Sequence, residues 1–350
     1  MSFARGYLRG NCLVAALAVW PFVAQAQSAG SRCLTIDREA PAEARISECT
    51  AAIESGAWSG RMLGFALARR GDAHAMKRDY DRAIADYTEA IRAYAKYPWT
   101  FYRRARTYAA MQDYDRAIAD YGEAIRLFPE NAFAFIGRGS AYGVKGDTDR
   151  AIADFTEAIR LAPENAFAHM RRGFIHHLKG ENGRAVADLS EAIRLKPDNS
   201  GAHFYRGITY LYDNSLADAV ADFNRANELD PKRPYGALWH DIAARRHAAP
   251  SRLSEAALHL DMGKWPAPVI LLFLDQTTPD SAIAAADDPD PMTKQDQLCE
   301  AHFYSGVHAL RRDAKAEAVR LLRIAAQDCP KKLIEGHAAQ LELKMLGATP

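Results

Sequence analysis

The sequence predicts an all-α superhelical solenoid of antiparallel helical hairpins with helical caps, and three observations carry that prediction. A ten-residue string recurs at a fixed period, each period holds two amphipathic helical patterns split by a short turn, and worn copies flank the regular array. Ala83-Ile-Ala-Asp-Tyr-Thr-Glu-Ala-Ile-Arg92 returns at Ala117–Arg126, Ala151–Arg160 and Ala185–Arg194, with a divergent copy at Ala219–Glu228, so each step is 34 residues. Such a period marks units that cannot bury their apolar faces alone and do so against their neighbours. Counting from Gly64 gives five repeats: 64–97, 98–131, 132–165, 166–199 and 200–233.

Taken in order, the chain opens on Met1–Arg9, with Arg5, Arg9 and no acid, followed by the uncharged run Cys12–Ala24 and the small-x-small string Ala24-Gln25-Ala26. This is the layout of a secretory signal peptide over 1–26, cut after Ala26; the apolar run is short of the ~20 residues a spanning helix needs. Segment 27–63 is read as an amino-terminal cap with one helix, Glu43–Glu54, which carries Cys49 in the aromatic slot and Ala52 in the small slot. Within the repeats, spacing places Ala117, Tyr121 and Ala124 on one helical face. Gly146-Asp147 and Gly180-Glu181 mark turns, and Pro129, Pro163, Pro197 and Pro231 close their repeats. Gly139, Gly173 and Gly207 recur mid-helix, where Gly costs about 1 kcal/mol against Ala, so helices are expected to approach closely there. Over 234–298 the period is lost. Tyr235–Arg246, Ser251–Leu260, Ala267–Leu274 and Pro279–Ala286 read as short helices, and Asp287–Pro291 as an exposed loop. In 299–350, Gly306, Ala318, Leu322, Ala325 and Pro330 refit the repeat, and Leu333–Leu346 reads as a capping helix.

These small, aromatic and terminal Pro slots resemble the tetratricopeptide repeat over 64–233. One departure recurs in all five repeats: Arg70, Arg104, Arg138, Arg172 and Arg206 stand where that family most often has Leu. A second resemblance lies in the tail. Ala237-Leu238-Trp239, Glu300 with Phe303, Tyr304 and Gly306, and Glu335-Gly336 with Glu342 and Gly347 look like the NlpI-type periplasmic repeat lipoproteins. That resemblance implies an adaptor presenting cell-wall hydrolases and other clients to envelope proteases. The lipid-attachment cysteine of those proteins is missing here, which speaks against a membrane anchor.

Charge nearly cancels, 45 Lys+Arg against 44 Asp+Glu, which argues against a nucleic-acid binder. Removing the signal leaves Cys33, Cys49, Cys299 and Cys329, an even number for an oxidising compartment. Three pairings are possible. Cys33–Cys49 and Cys299–Cys329 are favoured, the first across the turn before Pro41 and the second across the paired ends of antiparallel helices. His169, His176, His177 and His203 match no zinc spacing; His169 and His203 occupy the slot of Phe101 and Phe135, and His176 that of Tyr108 and Tyr142, so packing roles are expected and no metal. No phosphate loop and no nucleophile elbow appears. The expectation is a chain without cofactor or catalytic residues.

Each recurrent Arg has an Asp sixteen residues on: Asp86, Asp120, Asp154, Asp188 and Asp222. A ladder of Arg–Asp bridges between packed helices fits better than a cationic ligand track, because guanidinium and carboxylate bond at two points. The first helices would line a concave binding face. Its expected contacts are Trp99, Tyr102, Phe133, Ile136, Phe167, Met170 and Phe174, with Arg103, Arg106 and Arg171 selecting acidic segments. The competing reading is that many of these aromatics pack against the next repeat. Function is therefore read as a soluble periplasmic adaptor that binds protein segments, without stable membrane insertion; the alternative is a component acting directly on cell-wall material.

Overall fold

The computed structural model describes residues 32–35, 37 and 40–349, so the signal region 1–26 and Cys12 lie outside the described residues. Two compact units divide the chain, Met1–Gly137 and Arg138–Pro350. The amino-terminal unit stacks α1 (Ala42–Glu54), α2 (Gly60–Met76), α3 (Tyr80–Ala93), α4 (Pro98–Ala110) and α5 (Tyr114–Leu127), and the boundary falls inside α6 (Ala132–Lys145). The carboxy-terminal unit continues with α7 (Thr148–Leu161), α8 (Ala166–Leu178), α9 (Asn182–Leu195), α10 (Ser200–Tyr212) and α11 (Leu216–Leu229). It then adds α12 (Pro234–Arg246), three short helices α13 (Leu253–Ala257), α14 (Ala267–Phe273) and α15 (Pro279–Ala284), and finally α16 (Pro291–Arg311), α17 (Lys315–Asp328) and α18 (Ile334–Met345). Among the described residues no helix is long and apolar enough to cross a membrane.

Local chemistry sets each hairpin. Asp79, Asp113 and Asp147 cap the second helices by accepting the backbone N–H of Arg82, Arg116 and Arg150 at 3.3, 3.1 and 3.2 Å. The second helices then bury one repeated set: Ala83, Asp86, Tyr87 and Ala90 in α3, and the matching residues in α5, α7, α9 and α11. That set follows an i, i+3, i+4, i+7 face. The mid-helix glycines are sites of contact: a Cβ on Gly173 would stand 2.9 Å from Leu189 Cγ and 3.1 Å from Ala185 O. Turns between paired helices place Arg78, Gln112, Gly146, Gly180 and Asn214 at positive φ, so only two of the five repeats use Gly at this left-handed slot.

In the carboxy-terminal unit, Trp239 is fully buried and stacks between Phe303, at 5.5 Å, and Phe223, at 6.5 Å, tying α12 and α16 to the last regular repeat. Helix α18 folds back onto the same repeats. Glu342 accepts bonds from Tyr212 Oη (2.8 Å) and Arg246 Nη2 (2.6 Å), and His337 meets His177 edge-on at 5.2 Å.

Both expected cysteine pairs stand at disulfide distance, with Cα atoms 4.6 Å apart for Cys33–Cys49 and 4.9 Å for Cys299–Cys329. Cys299 does not open its helix. Helix α16 begins at Pro291, where Asp290 accepts the Met292 N–H at 3.0 Å and Pro supplies the first helical φ. Denatured, unreduced exported protein should therefore show no reactive thiol at these four positions in a thiol titration; two would remove one bridge, and four would remove both. Replacing Cys299 and Cys329 by Ser is expected to lower stability by about 2–4 kcal/mol in denaturant unfolding.

Candidate functional site

The recurrent arginines form a ladder. Arg70, Arg104, Arg138, Arg172 and Arg206 each donate from Nε and Nη2 to both oxygens of the Asp sixteen residues on, all at 2.7–2.9 Å. The Asp side chains are only 7–11% exposed, so these are buried forks and not surface pairs. Bonding to the Asp raises the pKa of Arg70, Arg104, Arg138 and Arg206 above the ordinary value, against burial that lowers it. Burial pushes the Asp188 carboxyl up, but bonds from Arg172 and His169 outweigh it and hold it below the ordinary range. A further partner was not read from the sequence. Arg70, Arg104, Arg172 and Arg206 extend Nη1 to a hydroxyl of the preceding helix, at Thr50, Thr88, Thr156 and Ser190. For Thr88, Thr156 and Ser190 the signal was a hydroxyl two residues after the ladder Asp of the preceding repeat; Thr50, ahead of the array, follows no such pattern. His203 Nδ1 sits 3.0 Å from Asp222 and His169 Nδ1 3.5 Å from Asp188, so both rings pack against rungs.

In the amino-terminal unit, the first-helix face presents Phe133 at 56% exposure beside half-buried residues of α4. Trp99 and Tyr102 meet edge-on at 5.7 Å, and Arg106 lies 5.8 Å over the Tyr102 ring. Arg106 is exposed and has no carboxylate partner among the described residues. Arg103 differs. Its Nε lies 3.4 Å from Asp72, which also accepts the Tyr87 hydroxyl at 2.8 Å, so this cation is already engaged. Ile136 is buried.

In the carboxy-terminal unit, Phe167 is 49% exposed, while Met170 and Phe174 are buried. The Phe174 ring lies 4.6 Å from Tyr205, and Arg171 lies 5.7 Å over Phe174. Residues Lys331–Glu335, leading into α18, line this face as well, and a half-open cavity of about 240 Å³ lies between them. Arg171 lines that cavity with its Nε shut from solvent and unbonded, and burial lowers its pKa. Glu300 lines it from α16. Its Oε2 accepts Tyr235 Oη at 2.8 Å and Trp265 Nε1 at 2.6 Å, yet burial first, and Glu335 second, push its pKa up to about 8. Burial likewise raises the Glu335 carboxyl, which accepts the Tyr304 hydroxyl at 3.1 Å. Beside them burial, and then His337, lower the pKa of His177 to about 3.

Residues 102–166, 136–199 and 178–234 match the tetratricopeptide repeat family model, and the repeat array belongs to that family. Among solved structures, PilW, described as a widely conserved type IV pilus biogenesis factor, is similar at 18% identity and a TM-score of 0.54, over 61% of this chain and 98% of that one. MamA is 26% identical over 46% of this chain and 94% of its own, with a TM-score of 0.44. YrrB, described as a repeat protein with an unusual peptide-binding site, is 21% identical over 59% and 95%, with a TM-score of 0.41. No curated protein matches the chain. The likeness to PilW bears on the fold alone.

Two outcomes follow from this geometry. Arg138→Ala and Asp154→Ala should each cost about 3–5 kcal/mol in denaturant unfolding, and the double mutant distinctly less than their sum; strict additivity would show that the pair is not coupled. The carboxy-terminal unit should also lose stability on both sides of about pH 6. Glu300 keeps its proton when folded and loses it near 4.5 when unfolded, so stability falls as pH rises from there to about 8. His177 stays neutral when folded down to about 3 but charges near 6.5 when unfolded, so stability falls as pH drops through that window. Thermal unfolding across pH checks this, and Glu300→Gln should flatten the alkaline limb.

Proposed function

We propose that this tetratricopeptide-repeat chain is an exported, soluble, non-catalytic adaptor that binds protein segments on the face of its first helices. The observation that carries the reading is the pairing of exposed or half-exposed aromatics, Trp99, Tyr102 and Phe133, with the guanidinium of Arg106, which lies over the Tyr102 ring and has no carboxylate partner among the described residues. Aromatic area beside an available Arg suits a segment that offers apolar side chains and acidic groups. Phe167 supplies a further exposed aromatic in the carboxy-terminal unit, with Ile136, Met170 and Phe174 as buried support beneath the two faces and Arg103 held by Asp72. Two cysteine pairs at bonding distance support an oxidising, periplasmic location, because such pairs seldom persist in the cytosol. The resemblance of the tail to NlpI-type proteins suggests a role in presenting envelope clients to proteases or cell-wall enzymes. No nucleic acid is implied at a formal net charge of +1.

Capture from an envelope extract followed by mass spectrometry identifies the partner, and titration of the purified pair tests the face. Trp99→Ala and Arg106→Glu should each weaken binding by about 2 kcal/mol while leaving the helical content unchanged. The Arg106→Glu effect should shrink as salt is raised, since it acts on a solvent-exposed charge. Unchanged affinity in both folded variants would place the partner elsewhere on the chain.

A further inference from the structure

We infer that the cavity beneath Lys331–Glu335 binds a small zwitterion with an apolar body, an α-amino acid of about the size of leucine or phenylalanine, whose carboxylate meets Arg171 and whose ammonium meets Glu300. Size sets the class. A cavity of about 150 Å³ holds benzene, and this one measures about 240 Å³, room for a ring or branched side chain with a short polar head. Phe174, Tyr205, Leu178 and Ile334 give it an apolar wall.

The polar groups are unusual for this molecule. All five ladder arginines are bonded at two points to a carboxylate, whereas Arg171 has no carboxylate partner among the described residues and lies over the Phe174 ring. Its Nε is shut from solvent without an acceptor, a cost that an arriving anion would offset. Among the described residues two other lining cations also lack acids: Arg233 lies 4.4 Å over the Phe204 ring, and Lys331 Nζ approaches the Lys145 carbonyl at 3.5 Å. The lining also carries acids. Glu300 has its Oε2 filled by Tyr235 and Trp265, but Oε1 has no protein partner among the described residues. Its neighbour Glu335 adds a second carboxyl, Asp296 lies nearby, and the adjacent cation Lys332 is already committed to Asp296 at 2.6 Å. Arg171 and Glu300 form no ion pair with each other although both line the cavity. Arg171 therefore calls for an anion and Glu300 can exchange its proton for a cation, a demand that a single zwitterion meets.

The test is isothermal titration of the full chain with L-phenylalanine and L-leucine, beside N-acetylphenylalanine, which lacks the ammonium, and phenylalaninamide, which lacks the carboxylate. At least one free amino acid should bind, and both capped compounds should bind at least about tenfold more weakly. Binding near neutral pH should release a proton, read as a dependence of the heat on the ionisation enthalpy of the buffer. Arg171→Gln should erase the preference over the amide and Glu300→Gln the preference over the acetylated compound, while Trp99→Ala changes neither. Arg171→Lys, which keeps the charge, serves if the Gln variant does not fold. Absence of binding by both amino acids at millimolar concentration, or equal binding of free and capped compounds, would overturn the assignment.

Discussion

The buried Arg–Asp fork is the constraint on which the stack depends. Taking a guanidinium and a carboxylate out of water is expensive, and the cost is offset only when both oxygens and the matching N–H groups meet in one plane. That geometry fixes how far the first helix of a repeat stands from its second, and small residues follow from it. Gly139 and Gly173 leave 3.1 Å between a hypothetical Cβ and the Asp154 and Asp188 Cβ atoms, so a larger residue would push the fork apart. The third donor, Nη1, carries the same restraint to the preceding helix through Thr88 or Ser190. One side chain thus sets spacing within a hairpin and between hairpins. Leu in that slot would pack, but it would not specify the register of three helices at once.

What the sequence disclosed was whatever it repeated. The ladder was legible because Arg and Asp recur together at a constant offset, and the helix boundaries because Ala, aromatic and Pro recur with them. The cysteine pairs followed from the same hairpin geometry. Features used once were not legible. Asp72 engages Arg103, but its slot holds Arg106, Ser140, Phe174 and Ile208 in later repeats, so no pattern marked it. Whether an aromatic on a first helix faces solvent depends on its neighbour across the stack, which leaves Phe133 exposed and Phe174 under Tyr205. The state of Arg171 was beyond local reasoning altogether, since the segment that covers it lies more than a hundred residues further along the chain.

The carboxy-terminal region shows how a repeat stack is brought to a close. A regular array ends on an apolar face that must be covered. Here Trp239, stacked between Phe223 and Phe303, continues the aromatic column of the repeats into helices that no longer follow the period. Helix α18 then turns back, and its acids are bonded from three helices: Glu342 by Tyr212 of the last repeat and Arg246 of α12, Glu335 by Tyr304 of α16. The buried acids and the His177–His337 contact make this closure sensitive to proton activity in both directions, unlike the ladder, whose guanidinium groups stay charged across the physiological range.

The clip between Cys299 and Cys329 has a meaning beyond cross-linking. Cys299 is next to Glu300 and Cys329 stands two residues before Lys331, and both Glu300 and Lys331 line the cavity. A disulfide here therefore joins two of the segments that line it. In a reduced chain the 331–335 segment would keep its polar ties, Lys332 to Asp296 and Tyr304 to Glu335, but lose this covalent one. The covalent state of this one cysteine pair thus bears directly on two of the segments that shape the cavity.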